Sequence, residues 1–110
     1  MSYAVREELG AAIVALTGDL DLQTSPIVRQ KLLETLEKHE RIVVDLSAVD
    51  YIDSSGVASL VEAFQVSRKK GASFALASVS AAAMRVLSLA RLDKVFTIHA
   101  TVDAALAPQG

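Results

Sequence analysis

Apolar and polar residues follow one another along this chain in blocks whose lengths predict a mixture of strands and helices. Five segments of strand length are rich in apolar residues, which is typical of β-strands that are buried or half-buried. They are residues 3–8, 11–16, 41–46, 74–77 and 95–98. Leu9-Gly10 predicts a tight turn between the first two, so these form a hairpin. Gly18 is expected to end the second strand, and a short loop is expected to follow the third.

Between the strands, apolar residues recur every three or four positions, as they do on one face of an α-helix. The first helix is predicted to begin with Ser25 as its N-cap and Pro26 in its first position, and to end near His39. The second is predicted over residues 56–70. It closes on Arg68-Lys69-Lys70-Gly71, where three cations and a glycine suit a helix C-terminus.

Two shorter helices complete the pattern. Ser80 is expected to cap the third, residues 101–107 are predicted to form the fourth, and residues 107–110 are expected to be a frayed tail. After the hairpin, strands alternate with helices, which implies an α/β fold with a partly parallel sheet joined by right-handed crossovers. The pattern leaves open whether the helices cover one face of the sheet or both. The length of 110 residues fits a single domain, residues 1–110.

Composition narrows the classes of function. The chain is 52% apolar, has no cysteine and carries a net charge of −2, so neither a disulfide framework nor a nucleic-acid-binding surface is expected. It shows no signal-peptide core and no apolar run of about 20 residues, so we expect a cytoplasmic protein with no direct membrane contact. The two histidines, His39 and His99, are far apart in sequence, and we expect no metal site and no cofactor.

Residues 52–57, Ile-Asp-Ser-Ser-Gly-Val, concentrate reactive groups where the second helix begins. The first turn of a helix has amides without intrahelical partners and about half a positive charge, so it can hold a phosphate. Two hydroxyls, Ser54 and Ser55, lie there beside the carboxylate of Asp53. The pattern fits a serine that is switched by phosphorylation. Capping of the helix by a serine explains it equally well.

Four stretches of the chain together resemble the STAS family, most closely its bacterial anti-sigma factor antagonists. They are Leu16-Thr17-Gly18-Asp19-Leu20-Asp21, Val44-Asp45-Leu46-Ser47, Tyr51-Ile52-Asp53-Ser54-Ser55-Gly56 and Lys69-Lys70-Gly71. The resemblance extends over about residues 11–107. It implies a STAS-like mixed sheet of about five strands with four helices, packed largely on one side. Many family members have glycine where this chain has Ala58, and many have a glycine before the leucine where this chain has Ala90-Arg91-Leu92.

The resemblance also implies a function in which the chain has no enzymatic activity of its own. The unmodified protein would bind an anti-sigma factor that is an ATP-binding serine kinase, and so release a sigma factor. That kinase would inactivate it by phosphorylating the first serine after the aspartate, here Ser54, and a separate phosphatase would restore it. By the same resemblance, the partner-binding residues are Asp21, Asp53, Ser55, Gly56 and Val57.

Other interpretations remain open at this point. The alternative function within the family is a STAS subunit of a phospholipid-transporting ABC complex. Asp53 could also be compared with the phospho-aspartate of a receiver domain. A receiver also needs an acidic pair after its first strand to hold magnesium and a lysine late in the chain. Here the acidic pair Glu7-Glu8 lies at a hairpin, and residues 98–107 contain no lysine. For Asp53, a favourable position at a helix N-terminus is explanation enough. From local sequence alone, Asp21 reads as a loop or capping residue.

Overall fold

The computed structural model describes residues 1–107, and the last three residues of the predicted tail, 108–110, lie outside them. Within that part of the chain, five strands and four α-helices confirm the predicted α/β fold. In chain order they are β1 (Ser2–Glu8), β2 (Ala11–Leu20), α1 (Ser25–Lys38), β3 (Arg41–Ile52), α2 (Ser54–Lys70), β4 (Ser73–Ala77), α3 (Ala81–Leu89), β5 (Thr97–His99) and α4 (Val102–Leu106), with a 3₁₀ turn (Leu92–Lys94) before β5.

The strands form one mixed sheet in the order β1-β2-β3-β4-β5. β1 and β2 are the antiparallel hairpin that Leu9-Gly10 predicts, and both turn residues have positive φ, 52° and 80°. The other neighbours, β2 with β3, β3 with β4 and β4 with β5, pair in parallel. Each of the parallel connections contains a helix, as parallel crossovers usually do.

The helices are divided unequally between the two faces of the sheet. The front face, defined by Val14, Val44 and Leu76, packs against α1, α2 and α3 through buried residues such as Leu32 and Leu60. The back face carries the alternate side chains of the same strands, among them Ile13, Val43 and Ala77. It packs only against α4, in a smaller cluster of Ala11, Ile13, Val43, Ala77, Ala105 and Leu106. The arrangement confirms helices largely on one side.

Two strands are longer than predicted, and this extension builds the site described below. β2 continues through Gly18 to Leu20, so the prediction that Gly18 ends it is wrong. β3 continues to Ile52 in place of the predicted loop. The two extensions pair with each other, with register shifts near Gly18, whose φ of +92° is accessible mainly to glycine.

Other boundaries move by one to three residues. β5 begins at Thr97 rather than at residue 95, because Val95 is half-exposed in the turn after α3 while Phe96 inserts into the core. The end of α2 and the start of α3 are as predicted. Gly71 closes α2 in the left-handed conformation, and the hydroxyl of Ser80 caps α3 by accepting the amide of Ala83 at 3.2 Å.

The start of α1 differs from the prediction. Ser25 is buried as the first helical residue, and Thr24 holds the N-cap position without a side-chain capping bond. The Ser25 amide instead donates to the carbonyl of Asp21 at 2.8 Å. The local turn therefore satisfies this helix end with the main chain of Asp21.

Candidate functional site

The paired ends of β2 and β3 bring together the two segments singled out in the sequence. Leu20 and Ile52 are register partners in the last row of the parallel ladder. One residue further on, the Asp53 amide donates to the Leu20 carbonyl at 3.0 Å. Asp21, which follows Leu20, thus lies at the same edge of the sheet as the start of α2.

Asp53 is the N-cap of α2. Its Oδ1 accepts the amides of Ser55 at 2.9 Å and Gly56 at 3.1 Å, and its main-chain carbonyl accepts the amide of Val57 at 3.0 Å. The interpretation of Ser54 or Ser55 as the capping residue is therefore wrong. Two amides of the first turn, those of Ser55 and Gly56, are already satisfied by this carboxylate.

The same contacts change the expected role of the helix N-terminus. A phosphate on Ser54 would not find the amides of Ser55 and Gly56 free, because the Asp53 carboxylate accepts both. It would instead lie close to the Asp53 carboxylate, which carries the same sign of charge. Two of the amides that the sequence suggested for holding a phosphate are thus bound by the chain's own carboxylate.

Ser54 itself is exposed and has a free hydroxyl. It is the first residue of α2, and within residues 1–107 its side chain makes no hydrogen bond to protein. Its neighbour Ser55 is half-buried, and its side chain likewise makes no hydrogen bond among the described residues. Of the two serines, Ser54 is the more exposed.

A third serine, Ser59, supports the site and was not singled out from the sequence. It is 5% exposed, and its Oγ lies 3.1 Å from the Ser25 carbonyl of α1 and 3.2 Å from the Ser55 carbonyl. The hydroxyl therefore links α2 to the start of α1. A sequence signal existed, because a serine within the apolar stripe of a helix must find a buried hydrogen-bond acceptor.

Gly56 and Val57 are buried beneath the serines. A Cβ at Gly56 would lie 2.6 Å from the Leu20 carbonyl oxygen and 2.8 Å from side-chain atoms of Leu20 and Ile52. Val57 is 9% exposed and belongs to the front-face core. Both residues hold the start of α2 against β2, and their expected contact with a partner stays a prediction.

Asp21 shapes the turn that leads into α1. Its Oδ1 accepts the amides of Gln23 and Thr24, both at 3.0 Å, and lies 3.2 Å from the Thr24 hydroxyl. The Thr24 amide, more than any other contact, holds the pKa of the Asp21 carboxyl below its usual value. Of the two interpretations from local sequence, the loop residue is confirmed and the helix cap is not, because Asp21 lies in the turn before α1 and Thr24 is the N-cap. A role for Asp21 in partner binding stays a prediction.

These contacts predict different results for two replacements of Asp21. Asp21→Ala removes the acceptor and is expected to lower the melting temperature. Asp21→Asn keeps an oxygen for the two amides and is expected to melt closer to wild type. Because the folded pKa is lowered, the carboxylate stabilises the fold above its unfolded pKa, and this stabilisation is lost as pH falls through the folded value. Thermal melts of the three proteins at neutral and acidic pH measure this, and equal melting of all three would contradict a structural role.

Comparison with known proteins shows the family to which the chain belongs. The model of the STAS domain matches residues 2–105. The chain belongs to the STAS domain family. The anti-sigma F factor antagonist of Paenibacillus polymyxa is 32% identical over 92 residues, which cover 82% of this chain and 79% of that protein. The anti-sigma-B factor antagonist of Bacillus subtilis is 29% identical, with 84% and 85% covered.

Solved structures of this STAS fold are also similar. An anti-sigma factor antagonist from Mycobacterium paratuberculosis superposes with a TM-score of 0.84 at 29% identity, over 96% of this chain and 90% of that one. SpoIIAA in its unphosphorylated form, at 18% identity, shares the fold with a TM-score of 0.80 over 96% and 93%. No helix within residues 1–107 is long and apolar enough to cross a membrane. The same residues contain no cluster of three or more potential metal ligands.

Proposed function

We propose that this STAS-domain protein is an anti-sigma factor antagonist whose binding is controlled by phosphorylation of Ser54. The docking surface, as we use the term, comprises Asp21, Asp53, Ser54 and Ser55. The observation that carries the proposal is the position of Ser54. Its hydroxyl is exposed at the start of α2 and is not needed to cap that helix, because Asp53 performs the capping.

The relatives support the same function. Three of them, 28–32% identical to this chain and matched over most of their length, are named anti-sigma factor antagonists. Those names favour the antagonist over the alternative, a STAS subunit of a phospholipid-transporting ABC complex. In the proposed role, the unmodified protein binds an anti-sigma factor and so releases a sigma factor, in the bacterial cytoplasm.

The proposed modification requires only an accessible hydroxyl from this chain. The anti-sigma factor would be a serine kinase that supplies ATP and Mg²⁺. A bond forms between Ser54 Oγ and the γ-phosphorus, the bond to ADP breaks, and the hydroxyl proton passes to a base of the kinase. A separate phosphatase would later hydrolyse the phosphoserine, which its exposed position at the helix start makes accessible.

Charge explains why the modification would end binding. A phosphoserine adds about −1.5 to −2 charges at pH 7. The two segments that supply the docking surface, residues 7–28 and 42–67, contain no lysine or arginine. Asp53 and Asp21 lie close by, and the new charge would have to be buried against them in the complex. The free protein keeps its fold, since the exposed phosphate remains in water.

A Ser54→Ala variant tests the acceptor assignment. It is expected to abolish phosphorylation by the cognate kinase and to change the free energy of unfolding by less than about 0.5 kcal/mol, as surface replacements usually do. Ser55→Ala is the matched control and should still be phosphorylated. The measurement is mass-spectrometric mapping after incubation with kinase and ATP, beside a thermal melt. Phosphate found on Ser55 in the wild-type protein, and not on Ser54, would refute the assignment.

A further inference from the structure

The back face of the sheet carries a depression that the proposed function does not use. It lies where β3 and β4 begin, beside α4, and has a volume of about 310 Å³. Ligand sites usually have volumes of about 300–1,000 Å³, so this is enough for a small molecule. The residues that line it are Arg41, Ile42, Val43, Ser73, Phe74, Ala75, Thr97, His99 and Ala105.

The register of the strands explains the shape of this depression. Arg41 pairs with Ser73 in one row, and Ala75 pairs with Thr97 in the next. Ala75 is buried and short, so the centre of the face is low. The longer side chains of Arg41 and His99 stand at its margins. The result is a shallow basin with an apolar floor and polar sides.

The polar groups around the basin are mostly donors, and few of them are engaged. Arg41 Nη2 donates to the carbonyl of Ala105 in α4 at 2.6 Å, which holds the guanidinium in place. Among the described residues, no carboxylate forms an ion pair with Arg41. The hydroxyls of Ser73 and Thr97 and the ring of His99 make no hydrogen bond within this part of the chain.

Acidic side chains are absent from the described lining. By register, the carboxylates on this face of the sheet are Glu8, on the edge strand β1, and Asp45, which is beside Ala77 in the row that ends at His99. Asp45 does not line the basin, and its Oδ1 accepts the amide of Ser47 at 2.9 Å. A solvated sheet face accounts for isolated hydroxyls. The contact of Arg41 with α4 satisfies a carbonyl of the last helical turn, and it engages only one of the five N–H donors of the guanidinium.

We propose that this basin binds a small molecule through a phosphate group. A guanidinium presents N–H groups in a planar fork that matches phosphate oxygens, and charge-assisted bonds of this kind are the stronger ones. Arg41 supplies the charge, and the hydroxyls of Ser73 and Thr97 donate from the neighbouring strands. The phosphate belongs either to a phosphorylated metabolite or to free inorganic phosphate, which have this chemistry in common.

The basin is separate from the docking surface. Arg41 begins β3 and Ile52 ends it, so the basin and the docking surface lie at opposite ends of a strand of 12 residues. The basin is also on the back face, whereas α2 packs on the front. Ligand binding therefore leaves Ser54 accessible, and the inference does not depend on the proposed function.

The test is an NMR titration of the full chain with inorganic phosphate and, separately, glycerol 3-phosphate, with sodium chloride holding ionic strength constant. We expect saturable shifts of the amides of Arg41, Ser73, Thr97 and His99, with a dissociation constant of about 1 mM or tighter. Arg41→Gln should weaken binding at least tenfold. Arg85→Gln, which neutralises an exposed arginine on α3, is the matched control and should leave the titration unchanged.

A second variant keeps the test decisive if loss of the Arg41 contact to α4 disturbs the fold. The double replacement Ser73→Ala with Thr97→Val retains the guanidinium and should weaken binding severalfold. Tighter binding of glycerol 3-phosphate would identify a phosphorylated metabolite, and tighter binding of inorganic phosphate the free ion. Shifts that do not saturate, or titrations unchanged in both the Arg41 and the double variant, would overturn the proposal.

Discussion

Gly56→Ala is expected to lower the free energy of unfolding by about 2–3 kcal/mol, because inserting a methyl into a closed contact costs about that much even after the gain in helix propensity. The added Cβ would lie 2.6 Å from the Leu20 carbonyl oxygen, an atom of the backbone that cannot turn aside. For a chain of this size the melting temperature should fall by roughly 10 °C. Relief of the clash requires α2 to move away from β2, which would displace Ser54.

Gly71→Ala is the matched control for this prediction. A Cβ at Gly71 meets no atom within 4 Å, but its φ is +71°, so the replacement isolates the cost of the left-handed backbone, about 1 kcal/mol. Chemical denaturation of both variants and wild type provides the measurement. If Gly56→Ala proves no more destabilising than Gly71→Ala, the close approach of α2 to β2 does not limit this site.

Phosphorylation of Ser54 is expected to weaken binding to the anti-sigma kinase by more than a hundredfold, about 3 kcal/mol. The added charge would be desolvated beside Asp53, whose carboxylate already accepts two amides and cannot release them to the phosphate without uncapping α2. Ser54→Asp adds one charge without the phosphate geometry. It should weaken binding tenfold or more, about 1.4 kcal/mol, and stay folded.

Calorimetric titration of the purified kinase with unmodified, enzymatically phosphorylated and Ser54→Asp protein gives these affinities. Circular dichroism of each form confirms that it is folded. Ser54→Asn is the neutral control of nearly the same size and should bind almost as tightly as wild type. Equal affinities of the unmodified and phosphorylated forms would exclude an inhibitory switch at Ser54 and would favour the transporter-subunit function.

The order and type of the elements could be predicted from the sequence because each apolar block has a length typical of one structure. The ends of β2 and β3 could not. Gly18 reads as a strand terminator, yet the ladder accommodates it through positive φ and a register shift, which depend on the pairing of β2 with β3. Pairing between distant segments is invisible in either segment alone.

The candidate site was predictable as a segment but not as a set of contacts. Ser54, Ser55 and Asp53 are all good N-cap residues, and only the backbone geometry shows that Asp53 caps α2 while Ser54 remains free. The position of α4 on the back face was likewise open, because a helix of five residues has too short an apolar stripe to indicate which face it covers.

The attachment of the docking surface to β3 has a consequence for the timing of partner exchange. β3 is flanked by parallel neighbours on both sides. The Asp53 carboxylate at its end accepts two amides of the first turn of α2, and the close contact at Gly56 holds that turn against Leu20 of β2 and Ile52 of β3. A partner therefore meets a surface that is already ordered, and association loses little conformational entropy. Changes in affinity at such surfaces arise mostly in the dissociation rate. A phosphate on Ser54 would then act chiefly by shortening the residence time of the complex.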